Sequence, residues 1–153
     1  MKTELTILID TREQAPLAFP GFETLSATLR TGDYSCIADG QDLREVVAIE
    51  RKSLSDMLGC VGHSRERFER ELERLSRFEF KALVIECSMM ELAAGSRYSK
   101  LTAKQTMSSV LAWAFKYHVP PIFACNRDYA AAAVRTLLFH ASRYAKIAAE
   151  QQG

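Results

Sequence analysis

The sequence is short of most features that would place it at a glance. Its 153 residues hold no apolar run approaching the roughly 20 residues of a membrane-spanning helix, which predicts a chain with no place in a bilayer. It has no Cys-x-x-Cys pair. Cys36, Cys60, Cys87 and Cys125 stand far apart in or beside apolar segments, which argues against a zinc site and predicts reduced core thiols of an intracellular protein. It also lacks an excess of either charge, because 20 Lys and Arg against 19 Asp and Glu leave a net +1. A nucleic-acid partner must therefore be met by locally placed Arg and Lys. No repeat, low-complexity tract or linker interrupts the chain, and the lead of Met1–Glu4 straight into a strand-like segment predicts a protein without a secretory signal. The three histidines, His63, His118 and His140, share no spacing that would bring them together. These absences predict one domain over residues 1–149, large enough to bury a core, with residues 150–153 as a frayed tail.

What is present centres on Val46–Asp56. Val46–Ile49 is β-branched and apolar and predicts a buried strand, which ends abruptly in Glu50–Arg51–Lys52. Period-2 geometry puts Glu50 and Lys52 on one face and Arg51 on the other. A carboxylate beside an ammonium at the mouth of a sheet can hold a divalent cation and orient a water. Asp33, directly after Gly32, offers a second carboxylate upstream. An acidic residue, a gap and then Glu-x-Lys on a strand is the pattern of metal-dependent nucleases of the PD-(D/E)XK type, although charges alone also commonly mark strand ends.

Along the chain, Leu5–Ile9 predicts a first strand, with Asp10, Arg12 and Glu13 where it emerges and a loop over 14–21. Glu23–Arg30 and Asp33–Ile37 read as a meander turning at Thr31–Gly32, and Asp39–Gly40 as a tight turn into the Val46–Lys52 strand. Antiparallel pairing brings Asp33 and Glu50 to one edge. Ser53 and Asp56 fit a capping box. The helix over 64–78 has the apolar stripe Phe68, Leu72, Leu75 and Phe78. Glu66–Arg70 and Glu73–Arg77 are (i, i+4) pairs on its solvated face, while Arg67 and Glu71 border the stripe and lean toward the sheet mouth. Phe80–Cys87 predicts a fully buried strand, 89–94 a short helix, and Gly95–Lys100 a loop with Arg97 and Lys100. Thr102–Gln105 caps a helix to His118 that buries Met107, Val110, Leu111, Ala114 and Tyr117. Ile122–Cys125 is a last strand, and Asn126 caps a terminal helix to Ala149. The β-α-β-α order of this half predicts parallel pairing.

Taken together, IDTRE at Ile9–Glu13, GDY at Gly32–Tyr34 and ERKSLSD at Glu50–Asp56 resemble the nuclease domain of the XPF family of structure-specific endonucleases, whose hallmark is GD…ERKxxxD. The likeness runs on through Arg67–Phe68, Arg74–Leu75, the LVIE strand and the SKLT helix entry. It implies an α/β, restriction-endonuclease-like fold, a mixed central sheet of about six strands flanked by helices. It further implies Asp33 and Glu50 as metal ligands with Asp10 as a third acidic residue, and Lys52 as the group that orients or activates water. Arg12 would bind the scissile phosphate, and Asp56 and Arg67 match further motif positions. Arg67, Arg97 and Lys100 would join Arg12 in holding DNA. The all-oxygen set favours Mg²⁺ or Mn²⁺ over zinc.

The resemblance implies a DNA endonuclease of repair or recombination, acting on branched, flap or fork DNA at the nucleoid or nucleus and leaving a 5′-phosphate and a 3′-hydroxyl. The alternatives are a non-catalytic DNA-binding or scaffold subunit, which should have lost Asp33, Glu50 or Lys52, and a dimeric four-way-junction resolvase. Family members usually carry a helix-hairpin-helix module after this domain. Here the sequence closes on the terminal helix, which predicts a stand-alone nuclease recruited by another protein. On that helix Ala130, Val134, Leu137, Ala141, Tyr144 and Ala148 are expected on the sheet. Ala131, Leu138, Ala145 and Ala149, with Phe139 among basic residues, predict a homodimer interface.

Overall fold

The computed structural model describes residues 2–95 and 100–153, so Arg97 lies outside the described residues. Strand β1 is Leu5–Asp10, β2 Glu23–Ala27, β3 Tyr34–Ala38, β4 the two residues Gln41–Asp42, and β5 Val47–Ser53. Helices α1 (Leu54–Val61) and α2 (Arg65–Ser76) lead to β6 (Phe80–Glu86). Helices α3 (Met89–Ala94) and α4 (Ala103–Lys116) lead to β7 (Pro121–Phe123), and α5 (Arg127–Gln152) follows. The strands form one mixed seven-stranded sheet in the order β2-β1-β3-β5-β6-β7, with β4 beside β3. β5, β6 and β7 are parallel, as the β-α-β-α order predicts, and β3 is antiparallel to both β1 and β5.

Alternation along β5 assigns its residues to two cores. Val47 and Ile49 join Ile7, Tyr34 and Val84 under α5, where Ala130, Val134, Leu138 and Ala141 cover them. Ala48 faces the opposite layer with Leu83 and Ile85, packed against Met57, Phe68, Leu72, Val110 and Trp113 from α1, α2 and α4. The helix entries are fixed chemically. Capping boxes close at Ser88/Glu91 and Thr102/Gln105, and Asn126 accepts from the Tyr129 N–H at 2.9 Å. No helix among the described residues is long and apolar enough to cross a membrane.

The meander is not formed. β2 pairs parallel to β1, with Ile9 opposite Ser26 and Asp10 opposite Ala27, so β1 separates it from β3. Residues 11–22 supply the long crossover that a parallel pair requires. Tyr34 pins that crossover: its buried ring stacks edge-on against Phe19 at 5.6 Å, and its hydroxyl accepts from the Leu17 N–H at 2.8 Å. Asp39–Gly40, with φ of 49° and 78°, turns β3 into β4 rather than leading directly into β5.

Other differences concern faces and ends. α4 buries Thr106, Val110 and Trp113 and leaves Leu111 exposed. Cys36, Cys60 and Cys87 are buried as expected, but Cys125 is exposed, in a left-handed backbone conformation (φ 66°) just past β7. Glu73–Arg77 pairs at 3.7 Å, while Arg65–Glu69 at 3.0 Å takes the place of the expected Glu66–Arg70 pair. α5 runs through Gln152, so Glu150–Gln152 are helical. Its buried line is Ala130, Val134, Leu138 and Ala141, whereas Tyr144 is 60% exposed. Leu138 is therefore core, and Ala131 and Ala145 also pack on the sheet cluster. Of the expected spare apolar strip only Ala149 stays exposed.

Candidate functional site

The acidic motif residues meet because three strands hand main-chain hydrogen bonds from one to the next. The Asp10 N–H donates to the Asp33 carbonyl at 2.9 Å, and the Asp33 N–H donates to the Ile49 carbonyl at 2.8 Å. Asp10, Asp33 and Glu50 are thus brought to one edge of the sheet. Gly32 makes the approach possible. Its φ is 84°, and a Cβ there would stand 3.1 Å from the Ile49 carbonyl oxygen. A side chain would be both conformationally strained and crowded against β5.

Alternation on β5 separates two charge systems. Arg51 turns to the α5 side, where it binds Glu86 at 2.5 Å, Glu13 at 3.3 Å and the Ala15 carbonyl at 3.0 Å. This largely buried network braces the strand end. Glu50 and Lys52 turn to the α2 side. The Lys52 Nζ lies 3.4 Å from Glu50 and 3.6 Å from Glu71 of α2, and 5.4 Å from the centre of the Phe68 ring. Burial works against its charge, but the two carboxylates outweigh that and hold the ammonium protonated above its ordinary range. Glu71 Oε2 is buried without a hydrogen-bond partner.

Asp33 and Glu50 form the close acidic pair. Burial pushes the Asp33 carboxyl up to about 6, even though its Oδ2 accepts from the Arg51 N–H at 2.8 Å. Glu50, with a side chain only 13% exposed, is driven well above its ordinary value by burial and then by the Asp33 charge. Each carboxyl of the pair is thus pushed toward its protonated form, Asp33 chiefly by burial and Glu50 by burial together with the Asp33 charge beside it.

Asp10 behaves differently. Its carboxylate accepts from the Arg12 Nε at 2.8 Å, the Arg12 Nη2 at 3.4 Å, the Arg12 N–H at 3.2 Å and the Leu29 N–H at 2.9 Å. Burial opposes its charge, but these donors prevail and hold it below the usual carboxylate range. Arg12 in turn donates from Nη2 to the Leu29 carbonyl at 2.7 Å. The pair anchors the segment between β2 and β3 against the end of β1. Among the described residues no three His, Cys, Asp or Glu side chains gather as a ready metal cage.

A cleft of about 160 Å³ opens over this edge, lined by Asp10, Arg12, Asp33, Glu50 and Glu71 and also by Arg30, Thr31, Gly32 and Arg74. Of the residues singled out in the sequence, Asp10, Arg12, Asp33 and Glu50 line it, and Lys52 adjoins it through Glu50. Glu71 leans in as expected, but Arg67 is exposed and does not line the cleft. Asp56 is exposed in the first turn of α1. The Ser53 hydroxyl accepts its N–H at 3.1 Å, and no return bond from the Asp56 carboxylate occurs among the described residues. The cap therefore uses Asp56's backbone and leaves its side chain free. Lys100 is exposed ahead of α4 and away from the lining. Arg30 escapes a motif-based reading, and Arg74 enters it only through the Arg74–Leu75 likeness, without a place at the site. Their local signals are adjacency to Thr31–Gly32–Asp33 and a spacing of three residues from Glu71 on one helical face.

No curated protein matches this chain. Among solved structures, XPF from Aeropyrum pernix superposes with a TM-score of 0.69 at 17% identity, covering 96% of this chain and 70% of that one. XPF from the same organism in complex with DNA superposes with a TM-score of 0.69 at 17% identity, covering 90% of this chain and 65% of that one. At such identity the likeness speaks to the fold, which is that of the XPF nuclease domain. The sequence itself matches the ERCC4 domain over residues 9–137, a span that contains the whole rung of acidic residues, the ERKSLSD segment and the α2 wall, and the chain belongs to that family.

Proposed function

We propose that this protein is a divalent-metal-dependent DNA endonuclease acting on branched, flap or fork DNA in repair or recombination, within the nucleoid or nucleus. The observation that carries the reading is the placing of Asp33 and Glu50 together in the lining of one cleft, with the Lys52 ammonium 3.4 Å from Glu50. Membership of the ERCC4 domain family supports it, and so does the fold match to an XPF determined with DNA. We read residues 1–149 as the nuclease domain.

Asp33 and Glu50 fit Mg²⁺ or Mn²⁺, since Mg²⁺ takes one or two carboxylates and leaves its other positions to water and substrate phosphate oxygens. Asp10, saturated by Arg12 and Leu29, serves in this arrangement as the anchor of that edge rather than as a ligand. A divalent cation there supplies Lewis-acid polarisation of the phosphoryl oxygen and a more acidic water. Lys52, fixed between Glu50 and Glu71, stays a cation. It orients the attacking water and offsets charge building on the phosphate, which limits it as a proton acceptor. In-line attack leaves a 5′-phosphate and a 3′-hydroxyl. Retention of Asp33, Glu50 and Lys52 weighs against a non-catalytic subunit. Association as a homodimer, and recruitment by another protein, belong to the same reading. On α5 the apolar residues left for such contacts are Tyr129, Tyr144 and Ile147.

The test is cleavage of labelled flap, fork, four-way-junction and single-stranded DNA in Mg²⁺, Mn²⁺ or EDTA. Ion-dependent cutting of branched substrates is expected, and cutting undiminished by EDTA refutes metal dependence. The ion also has a signature that needs no activity. Asp33 is raised from 3.8 to about 6, so between those values the folded state binds more protons than the unfolded one. This group's contribution is therefore greatest below pH 3.8 and declines as pH rises through about 6. A cation replaces the proton and reverses that loss. Saturating Mg²⁺ or Mn²⁺ should raise Tm by about 5–10 °C above pH 7, at roughly a hundredfold excess over Kd, and by almost nothing near pH 4. A Tm gain independent of pH would contradict an ion bound at these carboxylates.

A further inference from the structure

Three arginines rim the cleft, and they are not equivalent. Arg12 is committed to Asp10 and the Leu29 carbonyl. Arg30 is paired with Glu45 at 2.5 Å and lies 5.9 Å from the Phe78 ring centre. Arg74 lines the same cleft and makes no ion pair or side-chain hydrogen bond among the described residues. It is also firmly mounted. Its neighbours Leu72 and Leu75 are each 1% exposed in the core under α2, so the backbone that carries it is fixed while its guanidinium reaches the rim.

The electrostatics of the cleft give that cation a purpose. Asp10, Asp33, Glu50 and Glu71 all face the space a polyanion must enter. A strand approaching them is repelled unless cations at the rim meet its phosphates first. A guanidinium presents a planar fork of donors suited to phosphate oxygens, and one with no internal partner need break no ion pair to use it.

We propose that Arg74 contacts a backbone phosphate of the DNA strand at the mouth of the cleft, and so positions that strand over Asp33 and Glu50. This rests on the endonuclease reading for its substrate. The competing account is an ordinary solvated arginine on a helix rich in Arg and Glu, for which Arg70, exposed one turn earlier and absent from the lining, is the control.

Wild type, Arg74→Ala, Arg74→Lys and Arg70→Ala are compared in three ways. These are anisotropy of a labelled fork DNA in Ca²⁺ across a salt series, single-turnover cleavage in Mg²⁺, and thermal melting. Arg74→Ala should melt with wild type, lower the slope of log affinity against log salt by about 1, and cut about 10–100-fold more slowly. Arg74→Lys should recover the salt slope but only part of the rate, since it restores charge without the fork. Arg70→Ala should match wild type throughout. An unchanged salt slope in Arg74→Ala overturns the assignment whatever the rate does, and an equal loss in Arg70→Ala overturns it in favour of diffuse surface charge. If wild type binds the fork but cuts nothing, the endonuclease reading falls alone and the slope still decides Arg74. A wild type that binds no DNA overturns both.

Discussion

Glu50→Gln and Asp33→Asn are each expected to abolish cleavage, by at least about 1,000-fold or roughly 4 kcal/mol of transition-state stabilisation, without loosening the fold. Each change keeps the side chain's shape and removes the charge of a proposed ligand. Because burial and the neighbouring Asp33 charge both oppose ionisation of Glu50, its charge is a burden on the folded protein without an ion. Glu50→Gln should therefore melt at or slightly above the wild-type temperature, while the Tm gain from Mg²⁺ is lost. Single-turnover rates and melts on the same preparations are the measurements. A carboxamide variant cutting within about tenfold of wild type removes these residues from the centre of the reaction.

The largest effect on stability belongs to Leu138. It is 0% exposed, inside the cluster that joins α5 to Tyr34, Val47 and Val84. Leu138→Glu removes that packing and buries a carboxylate with no partner. The combined cost exceeds about 4–5 kcal/mol, comparable with the whole stability of a small domain. The variant should lack a cooperative melt or fail to stay soluble. Tyr144→Glu, two turns on and 60% exposed, should stay within about 0.5 kcal/mol of wild type. Tyr144→Glu with Ile147→Glu is consequently the proper probe of self-association by light scattering. A cooperative, wild-type-like melt for Leu138→Glu would mean that α5 does not seal this face.

Leu138, expected at an interface and found in the core, with Leu137 packed on the same cluster as expected, indicates where sequence is legible. Elements bounded by strong local chemistry read correctly: the β5 run with its charged end, the Thr102 and Asn126 caps, and the pairing that gathers Asp33 and Glu50. Helix rotation reads poorly where apolar residues are dense. In α5 four successive alanines, Ala130–Ala133, give the stripe no sharp edge, so a shift of one residue, about 100° of rotation, leaves the pattern equally plausible. The same slip hid Trp113 behind Leu111 in α4. β2 failed for another reason. ETLSA is mostly exposed at the sheet edge, and nothing local names its partner across a crossover. At the site the motif residues are visible in sequence, but Asp10's saturation by Arg12 and Leu29, and the arrival of Arg30 and Arg74 at the cleft, depend on which loops and helices fold over the sheet edge.

The rung that ties Asp10, Asp33 and Ile49 has a bearing on how such chains can diverge. Separation of the acidic groups is measured in steps between neighbouring strands, about 4.8 Å each, rather than along connecting loops. Lengthening the stretches at 11–22 or 39–46 leaves that ruler untouched. Inserting a single residue within β1, β3 or β5 flips the side chains beyond it to the other face, and in β5 exchanges Glu50 for Arg51. Descendants of this architecture are therefore free to vary in length at their loops, while the three short strands must be inherited residue for residue.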